Sequence, residues 1–132
     1  MYKPALVSGI LFAALAVILG AFGAHYLKTI FTADLLQSFE TGVRYQFYHA
    51  IGLLCIGFLS THIGINASKL PYWFMLSGIL LFSGSIYILC FLKSTGTIGL
   101  TGIGALTPIG GVCFIVAWIL LVLAILKSKE TN

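Results

Sequence analysis

The chain has 132 residues, of which 60% are hydrophobic and 8% charged, with a formal net charge of +4. A soluble domain is about 25% charged, and three acidic and seven basic side chains cannot cover the surface of one at this length. An ordinary water-soluble globule is therefore excluded. The expectation is a single integral membrane domain over residues 1–132 with the lipid bilayer as its surroundings.

The bases sit singly between apolar runs, at Lys3, Lys28, Arg44, Lys69, Lys93, Lys127 and Lys129. That is the pattern of charges flanking membrane spans. It lacks the basic stripe of a nucleic-acid binder, so no nucleic acid partner is expected. Cys55, Cys90 and Cys113 lie inside apolar runs without paired spacing and read as small buried hydrophobes.

A crossing takes about 20 predominantly apolar residues. The first span is placed at residues 5–27, with no charge between Lys3 and Lys28. A cleaved signal competes, because "AFGA" resembles a small-residue cleavage site, but the apolar core exceeds the usual ~7–15 residues. Ala5, Gly9, Ala13, Ala16, Gly20 and Ala24 recur at steps of three and four. Such small-residue stripes let membrane helices approach closely.

An amphipathic interfacial helix is expected over residues 33–44. Thr32 can cap it, Asp34 falls in its first turn, and Leu35, Leu36, Phe39, Val43 and Phe47 share a face. Gly42 reads as a bend into the second span, residues 45–61. The third span is placed at 71–92, with Pro71 in the first helical position and Tyr72, Trp73 and Phe74 as interfacial aromatics. Ser77, Gly84 and Ser85 are its small residues. A glycine-rich loop is expected over 94–106, then a fourth span over 107–126, with Thr107 capping and Pro108 first in the helix. Gly110, Cys113, Ala117 and Ala124 supply its small face. The tetrad "SGIL" occurs at Ser8 and again at Ser77, a weak sign of duplicated helix pairs.

The fold class read from this is all-α, a four-helix transmembrane bundle with an interfacial stretch before the second span. Four crossings put both termini and a loop near Lys69 on one side, with Lys3, Lys69, Lys127 and Lys129. Lys28 and Lys93 fall on the other, with Arg44 near its surface. The excess of bases predicts cytoplasmic termini.

The scarce polar groups gather in the opposite leaflet. His25, Tyr45, Gln46, His49, Tyr87 and Thr107 form a candidate polar cluster there, beside Ser83 and Ser85. Gly42, Tyr45, His49 and Gly52 share one helix face, with the glycines admitting a neighbour. Glu40 and Arg44 lie on the opposite face at ion-pair spacing. Intramembrane histidines are functional candidates; His25 can also bond the last carbonyls of its helix. A metal held by His25, His49 and Glu40 would need three faces to converge, and Glu40 faces away, so no metal is expected. No nucleophile–base pair or phosphate loop stands out, and neither catalytic residues nor a cofactor are expected.

"GAFGAH" (20–25), "TGVRYQFYHA" (41–50), "LFSGSIY" (81–87) and "GALTPIGG" followed by "FIVAW" (104–118) resemble the domain-of-unknown-function 423 family, which includes transmembrane protein 256 of animals. The resemblance covers nearly the whole chain. It implies a four-helix integral membrane protein of the bacterial inner membrane or of an organelle, and brings no biochemical activity with it. The family pattern T-G-x-x-Y-Q-x-x-H falls on Thr41, Gly42, Tyr45, Gln46 and His49, and leaves out Glu40 and Arg44.

The functional expectation is a structural or accessory subunit that packs with itself or a larger membrane complex. The alternative is a small homo-oligomeric transporter of protons or solute with a site at His25, Tyr45, Gln46, His49 and Tyr87. An intramembrane enzyme or lipid-headgroup binder is the third. Against conduction, the inner half offers only weak polar groups such as Ser8, Cys55, Ser60 and Ser77.

Overall fold

A computed structural model describes residues 1–97, 99 and 101–128. Among these residues every regular element is helical. Helix α1 (Lys3–His25) is followed by a single 3₁₀ turn, Leu27–Thr29, which reverses the chain. Helix α2 (Ala33–Ile63) returns. Then α3 (Ile65–Gly78), a π-helical segment (Ile79–Ser83) and α4 (Gly84–Ser94) join end to end with helical dihedrals at each junction. A short α5 (Thr101–Gly104) leads into α6 (Leu106–Ser128). Lys129, Ile98 and Leu100, assigned above to the inner flank and the glycine-rich loop, lie outside the described residues.

Three rods are long and apolar enough to cross a bilayer: Lys3–Thr29, Ile65–Ser94 and Gly102–Ser128. Helix α2 carries the chain from the far end of α1 back to the start of α3, so it crosses with them. Its less apolar composition is tolerated because α1, α3, α4 and α6 all pack against it, which hides Gln46, His49 and Ser60. The result is a four-helix transmembrane bundle. The start of α1 and the end of α6 share one end of the bundle: the backbone N–H of Tyr2 donates to Ser60 Oγ at 2.7 Å, and Ala5, Tyr72 and Leu121 join one apolar core. A second core, Leu27, Phe31, Phe39 and Cys90, closes the opposite end.

Helix α2 differs from the expected interfacial helix plus span. It is one uninterrupted rod of 31 residues, about 46 Å long at ~1.5 Å per residue. Thr32 does cap it, its hydroxyl accepting from Leu35 N–H at 3.4 Å. Gly42 makes no bend; it is a contact point, as shown below.

Pro71 is also placed differently. Helix α3 begins at Ile65, so Pro71 lies inside it and Lys69 is helical rather than in a loop. The cause is Gly64, whose φ of +85° lets one residue both end α2 and start α3. Its N–H bonds Ser60 O at 3.1 Å, and its own carbonyl accepts from Ser68 N–H at 3.3 Å. Likewise α6 starts at Leu106, so Thr107 is not its cap.

The small-residue stripe of α1 faces α2, with one exception. Ala5, Gly9 and Ala16 are buried and Ala13 and Gly20 half-buried, while Ala24 is exposed and Gly23 takes the inward place. A straight helix turns every 3.6 residues, so a further step of four drifts off the seam. A Cβ on Gly9 would meet Ala50 O at 2.9 Å, and one on Gly23 would touch Phe39 at 3.4 Å. The cysteines are unpaired; Cys90 is buried and its thiol lies 3.5 Å from Leu35 O, but Cys55 faces outward.

A polar layer between two apolar cores

Gln46 lies midway along α2, between Phe39 of one core and Leu53 of the other, and is 2% exposed. Its Nε2 donates to the backbone carbonyl of Phe12 on α1 at 2.9 Å, and its Oε1 accepts the hydroxyl of Tyr87 on α4 at 2.8 Å. A carbonyl can only accept, so the amide must point its nitrogen at Phe12. One side chain thus ties three helices.

Tyr87 reaches Gln46 because Gly42 makes room. A Cβ on Gly42 would stand 2.9 Å from the Tyr87 ring. The carbonyl of Gly42 accepts from Ser83 Oγ at 2.7 Å. Ser83 belongs to the π-helical segment, where one extra residue per turn re-aims side chains. On the other side of that segment, Gly110 of α6 lies against the Phe82 backbone. Thr107 and Ser85 share a hydrogen bond of 2.6 Å that links α6 to α4.

His49 is 8% exposed. Its Nδ1 lies 2.7 Å from the carbonyl of Tyr45, one turn back. That carbonyl cannot donate, so Nδ1 carries a proton, and in the neutral ring Nε2 presents a lone pair. The imidazole stacks on Phe114 of α6 with centroids 3.4 Å apart and planes 10° apart. Tyr45, 41% exposed, stacks on Phe82 at 4.6 Å. A cleft of about 430 Å³ runs beside them, lined by Tyr45, His49, Phe82, Phe114 and Trp118 together with Pro108, Gly111, Val112 and Ile115. Gly52, lower on the same face of α2, seats Met75 and Trp118.

Of the predicted cluster, Tyr87 and Gln46 are bonded directly, Tyr45 precedes Gln46 on α2, His49 lies about one turn further along it, and Thr107 bonds elsewhere. His25 is exposed at the end of α1 and does not join them. Glu40 and Arg44 form no ion pair among the described residues. Arg44 Nη2 donates to Thr41 Oγ1 at 3.4 Å instead, and both charged residues are exposed beside Gly20, Gly23 and Val43. Sequence reasoning missed Phe82, Phe114 and Trp118 as walls of the cleft. The four-residue spacing of Phe114 and Trp118 was the available signal.

A family model described as a protein of unknown function, DUF423, matches residues 19–111. The chain belongs to this family. The matched part of the DUF423 chain contains Gln46, His49, Tyr87 and Thr107. Among curated relatives, the UPF0382 membrane protein YwdK of Bacillus subtilis is 44% identical over 126 residues, covering 95% of this chain and 98% of its own. The UPF0382 membrane protein SSP2132 of Staphylococcus saprophyticus is 43% identical over 125 residues, covering 95% and 98%. A UPF0382 membrane protein of Staphylococcus epidermidis is 41% identical with 95% and 97% covered. No solved structure matches the chain. The DUF423 chain is a membrane protein with a helical bundle fold.

Proposed function

We propose that this DUF423 protein is a structural or accessory subunit that assembles with itself or with a larger complex in the bacterial inner membrane. The observation that supports this reading is the use made of Gln46. Its amide spends its oxygen on α4 and one of its N–H groups on α1, as polar residues do when they hold membrane helices together. Ser83 and Thr107 are likewise committed to neighbouring helices. Among the described residues, no buried side-chain polar atom lacks a partner. Polar groups engaged in this way serve rigidity better than passage. The transport reading places His25 in one site with Tyr45, Gln46, His49 and Tyr87, whereas His25 is exposed at the end of α1.

Both termini are proposed to be cytoplasmic, because Lys3, Lys69 and Lys127 fall at the end of the bundle opposite Lys28 and Lys93. The surface left for assembly includes the outer face of α1, where Ile10, Leu11, Val17 and Ile18 are all more than half exposed. A photo-crosslinking residue at Val17, activated in native membranes, tests the assembly. A discrete adduct with a second copy or a defined partner is expected. Lipid adducts alone, with a monomer after mild solubilisation, would reject the reading.

A further inference from the structure

The cleft beside His49 has a chemistry that helix packing does not use. Tyr45 and Trp118 are each 41% exposed, and Val112 and Ile115 on its rim are 59% and 61% exposed, so it opens sideways to lipid. Its occupant therefore comes from the lipid phase. From Pro108 in the first turn of α6 to Trp118 is ten residues, about 15 Å along the helix, about half the ~30 Å apolar thickness of a bilayer.

None of the lining residues carries a formal charge, which gives an anionic headgroup no counter-ion. The walls of Tyr45, Phe82 and Trp118 suit a flat ring. His49 sets the polarity. With Nδ1–H held by Tyr45 O, Nε2 of the neutral ring can only accept. The only hydrogen bond of His49 among the described residues is the one through Nδ1, and the residue lines the cleft, so a ligand there is the partner within reach of Nε2. Tyr45 adds a hydroxyl that can donate or accept and so sets no preference. The volume, about 430 Å³, falls within the range of small-molecule sites, roughly 300–1,000 Å³.

We infer that this cleft binds a membrane-soluble hydroquinone, its ring against the aromatic walls and one phenolic O–H donating to His49 Nε2. The oxidised quinone binds less well, since its carbonyl oxygen would face the imidazole lone pair with no proton between them. The inference is independent of the assembly proposed above.

The test uses the full chain in lipid nanodiscs with Trp73→Phe, which leaves Trp118 as the sole tryptophan of two. The probe is a decyl-substituted benzohydroquinone, reduced beforehand and held anaerobic, against the same molecule oxidised. A saturable Trp118 response is expected, with half-saturation at least tenfold lower for the reduced form. His49→Phe removes the acceptor and should abolish that difference. Gly111→Leu fills the cleft without disturbing His49; a Cβ there stands 3.8 Å from Phe82, in ordinary contact. It should abolish saturation, and it decides the matter where His49→Phe fails to fold. Equal half-saturation for the two oxidation states, saturation unchanged in Gly111→Leu, or a response that rises linearly with probe would overturn the inference.

Discussion

Tyr87 and Gln46, 41 residues apart, meet in a 2.8 Å hydrogen bond in the interior of the bundle. The bond joins α4 to α2, and the other end of the Gln46 amide continues it to α1. Lipid tails are as apolar as leucine, so helices in a bilayer gain nothing from hiding apolar surface from one another. Close packing and such bonds must hold them.

Gln46→Leu should therefore destabilise the bundle by about 1–3 kcal/mol, since it removes the acceptor of the half-buried Tyr87 hydroxyl and the donor to the Phe12 carbonyl together. Tyr87→Phe should cost a comparable amount, because it leaves the buried Gln46 Oε1 without its donor. A double-mutant cycle, read by reversible unfolding in mixed micelles, should give a coupling of about 0.6–1.7 kcal/mol. Additive losses would mean that the bond contributes nothing.

Adjacent glycines on α6 give a second contrast. A methyl on Gly110 would collide with the Phe82 backbone, whereas one on Gly111 meets only ordinary contacts. Gly110→Ala should cost about 1–3 kcal/mol by forcing α6 off the π-helical segment. Gly111→Ala should stay within about 0.5 kcal/mol of the parent. Thermal unfolding of the two variants side by side decides this.

Gly64 and Gly84 separate backbone strain from packing. Gly64 has φ +85° and ψ 149°, a region open almost only to glycine. Gly64→Ala should lose about 1–3 kcal/mol although nothing lies within 4 Å of the added carbon. Gly84, inside the rod and also with open space around it, should tolerate alanine and gain up to about 1 kcal/mol from helix propensity.

Much of this architecture could be read from the sequence because charge is so scarce in it. Lys3, Lys28, Lys93 and Lys127 bracket the apolar rods, and the stripe from Ala5 to Gly20 marks the face that packs on α2. What misled was local punctuation. Pro71 looked like a helix start, but the turn is made by Gly64 alone, and a proline inside a membrane helix is tolerated where neighbours compensate. Gly42 looked like a hinge, but its missing side chain is what lets the Tyr87 ring in. The π-helical segment has no sequence signature in "ILLFS"; it follows from fitting Ser83 to Gly42 and Phe82 to Gly110 at once. His25 and His49 looked alike as histidines near one leaflet. Only the packing of α2 against α6 distinguishes the one stacked on Phe114 from the one left exposed.

The threading is open to labelling. In a chain with Cys55, Cys90 and Cys113 replaced by alanine, single cysteines at Lys3 and Lys69 should react with a membrane-impermeant thiol reagent only from the cytoplasmic side. Cysteines at Lys28 and Lys93 should react only from the other. Opposite-sided reaction of Lys3 and Lys69 would refute the four-crossing arrangement.

The most direct test of a polar layer committed to holding helices together is proton flux in sealed proteoliposomes containing a pH-sensitive dye. The purified protein should leave the rate equal to that of protein-free vesicles between about pH 5 and pH 8, the range in which histidine changes charge. A flux above that background, rising or falling through this range and lost in Gln46→Leu or His49→Phe, would contradict the account.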